Sequence, residues 1–278
     1  MKTISISVGY TKHFIALCAL FILGNAVISL PEQTADKFTF LGFLISFTVT
    51  AILYFALSFV PLCKPLWIFG FLLSFWAAAD TFLEFIRFIS DTLLRETANI
   101  LIVLPFVFVA IYFAFQKAEV ILKFSLVAFF FSVLAVVFFF LFTAKDFDVK
   151  NIIIKSLPTF KNLYTKTLPY IKKVTLPSLL LIIYAKILQK PKKVMFFGMI
   201  TGNILLAACL LNSVLLFGSV FSGELDYPYA SAISTVTFGN LFTRMDGFAY
   251  FIYFASCIIK ITVCVDIIKA AIRENRKE

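Results

Sequence analysis

Four ionisable side chains lie within one strongly apolar stretch, WAAADTFLEFIRFISD at residues 76–91. Asp80, Glu84, Arg87 and Asp91 follow one another at steps of four, three and four residues, which places them on one face of a helix. Such groups are costly in lipid, so this face should lie against protein or water. Arg87 can pair with Glu84 and with Asp91. Asp80, which has no evident local partner, belongs either to a pathway for a cation, proton or amine or to an ion pair between helices.

A fifth charge, Lys260, lies in the apolar stretch FASCIIKITVCVD. Near the centre of a bilayer its ammonium must reach towards the interface, pair with an acid or face a cavity. Asp80 is a candidate partner. The burial of Lys260 is therefore the most informative single observation that a structure can add.

Two interruptions of apolar stretches could expose backbone groups to a ligand. Gly24 and Asn25 interrupt ALFILGNAVISLP, and Pro177 and Ser178 begin a run of only about fourteen apolar residues, too short to cross a bilayer alone. We expect the chain from Tyr170 onwards to supply the rest as a broken helix. Unwound backbone leaves N–H and C=O groups unpaired, and paired interruptions indicate a midplane binding site in transporters. The alternative for Gly24 is close helix packing.

The elements that must position these residues are transmembrane helices. The chain of 278 residues is 62% hydrophobic and 14% charged, with a mean hydropathy of +1.00. This composition excludes an ordinary globular enzyme, a disordered chain and a disulfide-built module. It predicts an all-α polytopic membrane protein with one transmembrane domain over 1–278. About eight spans are expected, at 13–30, 38–60, 66–88, 99–116, 120–143, 176–189, 194–217 and 247–268.

The basic residues predict the orientation. With a cytoplasmic N-terminus, thirteen Lys and Arg fall inside and three fall in the short outer loops, which favours both termini in the cytoplasm. The segment 145–175 is expected outside, between the fifth and sixth spans. Its lysines and repeated Leu-Pro pairs predict an amphipathic loop lying on the outer membrane surface.

Signals for enzymatic, metal or nucleic-acid chemistry are missing from the sequence. The five cysteines have no CxxC spacing, His13 is the lone histidine, and no Gly-rich phosphate loop occurs. The basic residues do not gather on a soluble module. We expect no catalytic activity, cofactor, metal or nucleic-acid partner.

Residues 227–265 carry a spaced set of motifs: a Tyr-Pro pair, a Gly, an Arg-x-Asp pair, a Tyr seven residues later and a Lys seven beyond that. The positions are Tyr227, Pro228, Gly239, Arg244, Asp246, Tyr253 and Lys260. The set resembles the B-subunit family of GerA-type spore germination receptors. LFILGNAVISLP at 20–31 and FLEFIRFISDTLLRETANILIV at 82–103 resemble the first and third helices of that family.

The resemblance implies a branch of the amino acid–polyamine–organocation transporters, with the LeuT-like fold of ten helices in two inverted repeats. The chain ends soon after the Lys260 helix, so the last two helices are expected to be lacking. Ser178 is the polar residue where an acid is usual in the sixth helix. After the fourth helix, Glu119 is kept and Lys123 stands where Arg is usual.

The implied function is a membrane subunit of a nutrient-germinant receptor in the spore inner membrane, with A- and C-type partner subunits and a small ligand such as an amino acid. The candidate ligand-binding residues are Gly24, Asn25, Asp80, Pro177, Ser178, Tyr253 and Lys260, and the ion-pair candidates are Glu84, Arg87, Arg244 and Asp246. Two alternatives stay open. One is an ion-coupled amino acid transporter with Asp80 and Lys260 as coupling groups. The other is a structural subunit that binds no ligand.

Overall fold

In a computed structural model of the protein, the long apolar stretches form helices and short polar turns separate them. A helix pairs its own backbone groups, as a chain must where water is absent. The structure describes residues 10–24, 26–27, 39–92, 99–152, 159–224, 227–234 and 246–275. In those ranges the chain contains no strand. The helices are α1 Thr11–Leu23, α2 Thr39–Phe59, α3 Lys64–Thr92, α4 Asn99–Phe115, α5 Ala118–Thr143, α6 Phe160–Tyr170, α7 Leu176–Ile187, α8 Lys192–Glu224, α9 Pro228–Ser234 and α10 Asp246–Asn275.

Six helical stretches are long and apolar enough to cross a membrane. They are Phe40–Phe59, Lys64–Thr92, Ala118–Asp146, Phe160–Ile187, Lys192–Phe217 and Tyr250–Asn275. The α1 and α4 helices are apolar but shorter. The prediction of an all-α polytopic membrane protein is confirmed.

Burial separates inner helices from outer ones. In the most apolar window of the α6–α7 stretch and of α10, 72% of the residues are buried, against 28% for α2 and α3. The α1 helix is buried along its whole second half, from Ala16 to Leu23. The outer helices instead expose large apolar side chains such as Phe55, Phe75 and Phe130, as lipid-facing helices do. The α1, α6–α7 and α10 helices therefore form the centre of the bundle.

Glycines bring α8 close to α1. A Cβ atom on Gly198 would lie 2.6 Å from Cβ of Cys18, and one on Gly202 would lie 2.9 Å from Cα of Ala19. The two glycines are four residues apart, the GxxxG spacing that allows two helix backbones to approach in a membrane. Close helix packing thus depends on a motif in α8 that our sequence analysis overlooked.

The segment from Phe160 onwards differs from the predicted outer loop over 145–175. Two short 3-10 turns follow α5, at Ala144–Asp146 and Val149–Ile152, but α6 then runs through a π-helical turn, Ile171–Thr175, directly into α7. The result is one apolar helical stretch from Phe160 to Ile187. The second half of the predicted loop is therefore part of the bundle.

The prediction of unwound backbone at Pro177 and Ser178 is wrong. The helix continues through both residues, and a π turn directly before them connects α6 to α7. The Leu176 N–H donates to the carbonyl of Ile171, five residues back rather than four. The Ser178 hydroxyl donates to the carbonyl of Thr175 at 2.7 Å. Hydroxyl groups and π turns are known ways to satisfy backbone groups that proline leaves unpaired in a membrane helix.

Candidate functional site

The interruption predicted at Gly24 is present. The α1 helix ends at Leu23, and Gly24, whose N–H donates to the carbonyl of Leu20 at 2.9 Å, has φ 29° and ψ −129°. L-residues rarely adopt this positive φ, so a side chain here would be strained. Asn25, the second predicted residue of the interruption, lies outside the described residues.

Lys260 packs against this interruption and not against lipid. Only 1% of its surface is exposed. A Cβ atom on Gly24 would lie 2.7 Å from Cδ of Lys260 and 3.4 Å from its Nζ, so the missing side chain of Gly24 makes room for the lysine. The Nζ atom is also 5.7 Å from the centroid of the Phe21 ring, within the range of a cation–π contact. The most deeply buried lysine among the described residues therefore lies at the end of the central helix α1.

Asp80 and Glu84 share one partner, Lys173, which the sequence analysis had placed in the outer loop. The Nζ atom of Lys173 lies 2.8 Å from Oδ1 of Asp80 and 2.7 Å from Oε1 of Glu84. The three side chains are between 11% and 21% exposed, so the pairs are largely shielded from water. The π turn carries Lys173 into the bundle and thereby ties the Phe160–Ile187 stretch to α3.

The predicted pairing of Arg87 with Glu84 and Asp91 is replaced by other contacts. Glu84 binds Lys173, and Asp91 accepts a hydrogen bond from the Tyr227 hydroxyl at 2.8 Å. Arg87 is exposed near the end of α3. The common face of α3 is therefore real, but its two deeper acids point into the bundle and its last turn lies at the surface.

Hydroxyl groups of α2 line the other side of the π turn. Ser46 and Thr50 contact the Thr175 hydroxyl at 2.9 and 2.8 Å, and the Tyr54 hydroxyl donates to the carbonyl of Ser178 at 2.6 Å. Ser46, Thr50 and Tyr54 recur every four residues in an apolar helix, a polar stripe that could have been found in the sequence. These hydroxyl groups hold the π turn against α2. The carbonyl of Ser178 takes part in this network as the acceptor of the Tyr54 hydroxyl.

Tyr253 is buried between aromatic rings of α3. Its ring centroid is 5.8 Å from that of Phe85 and 4.9 Å from that of Phe88. Its hydroxyl meets no oxygen or nitrogen partner in the described part of the chain, but it lies within reach of a weak hydrogen bond with the thiol of Cys257, and the carboxylate of Glu84 acts on it electrostatically. Ser74 and Ser256 have buried hydroxyls that also meet no such partner there. Buried polar groups normally find a partner, so the hydroxyls of Ser74 and Ser256 are exceptions among the described residues.

The structure thus brings four of the candidate residues to two places. Gly24 and Lys260 meet at the end of α1, while Asp80, Glu84 and Lys173 meet between α3 and the π turn. Asp80 and Lys173 both act electrostatically on Lys260, which links the two places. Pro177 and Ser178 belong to the start of α7 and are buried. Arg244 lies outside the described residues, and Asp246 begins α10 with a side chain that is not described.

A model of the spore germination protein family matches residues 61–274, most of the chain. The chain belongs to this family. The match confirms the resemblance seen in the sequence and covers α3 to α10, including Asp80, Lys173 and Lys260. A search of curated proteins finds no match.

Within this germination protein the Tyr-Pro motif has a clear structural place. Tyr227 directly precedes α9, its ring meets that of Phe88 edge-on at 5.0 Å, and its hydroxyl reaches Asp91. The motif therefore fixes the end of α3, the helix that carries the two buried acids. Gly239 of the same motif lies outside the described residues.

Proposed function

We propose that the chain is the membrane subunit of a spore nutrient-germinant receptor, which senses a small molecule such as an amino acid and signals through A- and C-type partner subunits. We place it in the spore inner membrane with both termini in the cytoplasm and assign it no enzymatic step. Membership of the spore germination protein family supports a role in spore germination. The packing of the buried Lys260 ammonium against the interrupted end of α1 is the observation that carries the sensing role.

The two charged places match the two charges of an amino acid. Lys260, which lies against the Gly24 interruption, would receive the carboxylate. Asp80 and Glu84 would receive the ammonium. The hydroxyl of Tyr253, whose partner is the weakly hydrogen-bonding thiol of Cys257, is acted on by Glu84 and is a further group for the ligand or a bound water.

Lys173 gives this site two states. In the structure its ammonium already occupies the two acids that an ammonium ligand needs. Leaving two buried carboxylates without a cation is costly, so Lys173 can withdraw only as the ligand's ammonium replaces it. Ligand binding would then free the π turn from α3. A receptor needs such a change, because a ligand that binds two states equally shifts nothing.

Binding of labelled amino acids to the reconstituted receptor, with its partner subunits, tests the proposal. We expect saturable binding that Gly24→Leu abolishes, because the new side chain meets Lys260. Gly247→Leu is the matched control, since a Cβ there meets nothing within 4 Å. Binding is compared per amount of folded receptor in the membrane, because Gly24→Leu is expected to lower stability as well. Absence of specific binding, together with normal germination of Gly24→Leu spores, would contradict the assignment.

An ion-coupled transporter is the second candidate, favoured by the concentration of buried charge around Asp80 and Lys260. Uptake of an amino acid by the isolated chain in liposomes, driven by a proton or sodium gradient, would favour this function. If neither uptake nor binding occurs and site substitutions have no effect while deletion prevents receptor assembly, the chain is a structural subunit.

A further inference from the structure

The beginning of α3 and the end of α10 enclose a cleft that plays no part in the proposed ligand site. It has a volume of about 430 Å³, which lies within the range of small-molecule sites, about 300–1,000 Å³. Its apolar walls include Trp67, Phe71 and Leu72 of α3 and Ala271 and Ile272 of α10. The cleft is therefore large enough to hold a ligand of its own.

The cleft is polar at one end and apolar along the rest. Lys64 is the first residue of α3, and Glu274 and Asn275 are the last two of α10, so their polar groups lie at the same end. The apolar lining residues of both helices follow within about two turns. Both helices belong to the membrane-spanning set. An occupant with a polar head and an apolar body fits this arrangement.

The apolar part of the cleft opens sideways. Ile68, Leu72 and Ile272 line it and are 56%, 62% and 43% exposed. Large apolar side chains that are exposed on membrane-spanning helices face the acyl chains of lipids. An occupant can therefore enter from the membrane.

The size of the cleft limits what can enter. A single helical turn, about 10 Å across and about 5.4 Å long, fills roughly 420 Å³, which is almost the whole cleft. A membrane-spanning helix of a partner has about five turns or more, so the cleft is too small to be its docking groove. An alkyl chain is thinner and can lie along two turns of α3, about 11 Å.

Selection of the occupant must come from the polar end. Lipid chains are as apolar as the walls, so exchanging one for another gains little. Lys64 and Glu274 carry opposite formal charges, and each is engaged in an interaction of its own. They therefore do not select a charged head. The exposed amide of Asn275 both donates and accepts hydrogen bonds, as a hydroxyl group does.

We propose that this cleft binds a single-chain amphiphile with an uncharged, hydroxyl-bearing head, such as a monoacylglycerol. The alkyl chain lies against Trp67 and Phe71, and the head binds the amide of Asn275. The site is separate from the proposed ligand site, although the same two helices carry Asp80 and Lys260. Its occupant does not depend on what the ligand of that site is.

Quenching of tryptophan fluorescence tests this, because Trp67 and Trp76 are the two tryptophans of the protein. Trp67 lines the cleft, whereas Trp76 is exposed about two and a half turns further along α3. In phosphatidylcholine liposomes, a monoacylglycerol with a brominated chain should quench Trp67 saturably in the Trp76→Phe protein. Excess unbrominated monoacylglycerol should restore the signal. In the Trp67→Phe protein, Trp76 should be quenched only in proportion to the brominated lipid added.

Two variants of the Trp76→Phe protein test the two ends of the cleft. Ala271→Leu fills the apolar part from α10 and should remove the saturable quenching of Trp67. Ala56→Leu, at an exposed alanine of α2, is the matched control and should leave it unchanged. Asn275→Ala alters an exposed side chain, so the protein is expected to fold. It should weaken binding about fivefold by removing one hydrogen bond.

Identical quenching curves for Trp67 and Trp76 would overturn the proposal, because the cleft would then hold only the surrounding lipid. Equal losses in Ala271→Leu and Ala56→Leu would overturn it as well. Saturable quenching by brominated phosphatidylcholine, without any by the monoacylglycerol, would assign the cleft to a bilayer phospholipid instead. None of these measurements requires an amino acid, so they leave the proposed receptor function to its own test.

Discussion

The contact between α1 and α8 and the contact between α3 and the π turn join helices in opposite ways. The first is apolar and close, with Gly198 and Gly202 against Cys18 and the backbone of α1. The second is made by Lys173, Asp80 and Glu84, whose charges could be exchanged for those of another molecule. A close apolar contact has one good arrangement, whereas an ion pair can be replaced. The first contact therefore suits a fixed frame and the second a switch.

The largest effect is expected at the apolar contact. Gly198→Leu places side-chain atoms where Cys18 lies, so we expect a loss of about 3 kcal/mol or more of unfolding free energy, or no folded protein. Unfolding in detergent and the amount of protein in the membrane measure this. Gly247→Leu is the control and should behave as the unaltered chain. A folded Gly198→Leu protein of normal stability would show that α1 and α8 are not a rigid frame.

The next effect is expected at the ion pairs. Lys173→Met leaves Asp80 and Glu84 partly buried without their cation, which should cost about 2–3 kcal/mol, less than for fully buried groups. Adding Asp80→Asn and Glu84→Gln should recover most of this stability but no amino acid binding. Lys172→Met, on the exposed side of the same turn, is the control. If the triple variant still binds ligand, these acids are not the ammonium site.

A smaller change in stability is expected at the end of α1. Gly24→Ala combines an unfavourable φ with a contact to Cδ of Lys260, so we expect a loss of about 1–2 kcal/mol. Ligand binding should fall more than stability does, because the new methyl group displaces the lysine stem. Binding isotherms alongside unfolding curves separate the two. If Gly24 has only a structural role, Gly24→Ala should reduce ligand binding only as far as it reduces the amount of folded protein.

The smallest effect on stability is expected at Tyr253. Tyr253→Phe removes a buried hydroxyl whose partner, the Cys257 thiol, hydrogen-bonds only weakly, so the free energy of unfolding should change by about 0.5 kcal/mol or less. Tyr54→Phe, which removes the hydroxyl that donates to the carbonyl of Ser178, should cost about 1 kcal/mol. Weakened ligand binding in a stable Tyr253→Phe protein would assign its hydroxyl to the ligand or to a water beside it. Unchanged binding would remove Tyr253 from the site.

Local patterns predicted the apolar helices, the common face of Asp80 and Glu84, the interruption at Gly24 and a Lys260 that does not face lipid. Each of these depends on residues within one helix. The partner of the two acids could not be predicted in this way, because Lys173 is about ninety residues away along the chain and its segment has loop-like prolines. Only the π turn brings it inside. A π turn needs tertiary support, here from Ser46, Thr50 and Tyr54, so no local signal specifies it.

The π turn also has a mechanical consequence. It holds one more residue than an α-helical turn would, so α6 and α7 are out of angular register by one residue, roughly 100° of helical rotation. If the π turn became a regular α-helical turn, α6 would have to rotate relative to α7 about the helix axis. Because Lys173 lies inside the turn, such a rotation would swing its ammonium away from the α3 carboxylates. A rotation of α6 and the binding of a ligand at Asp80 and Glu84 would then both act on the π turn.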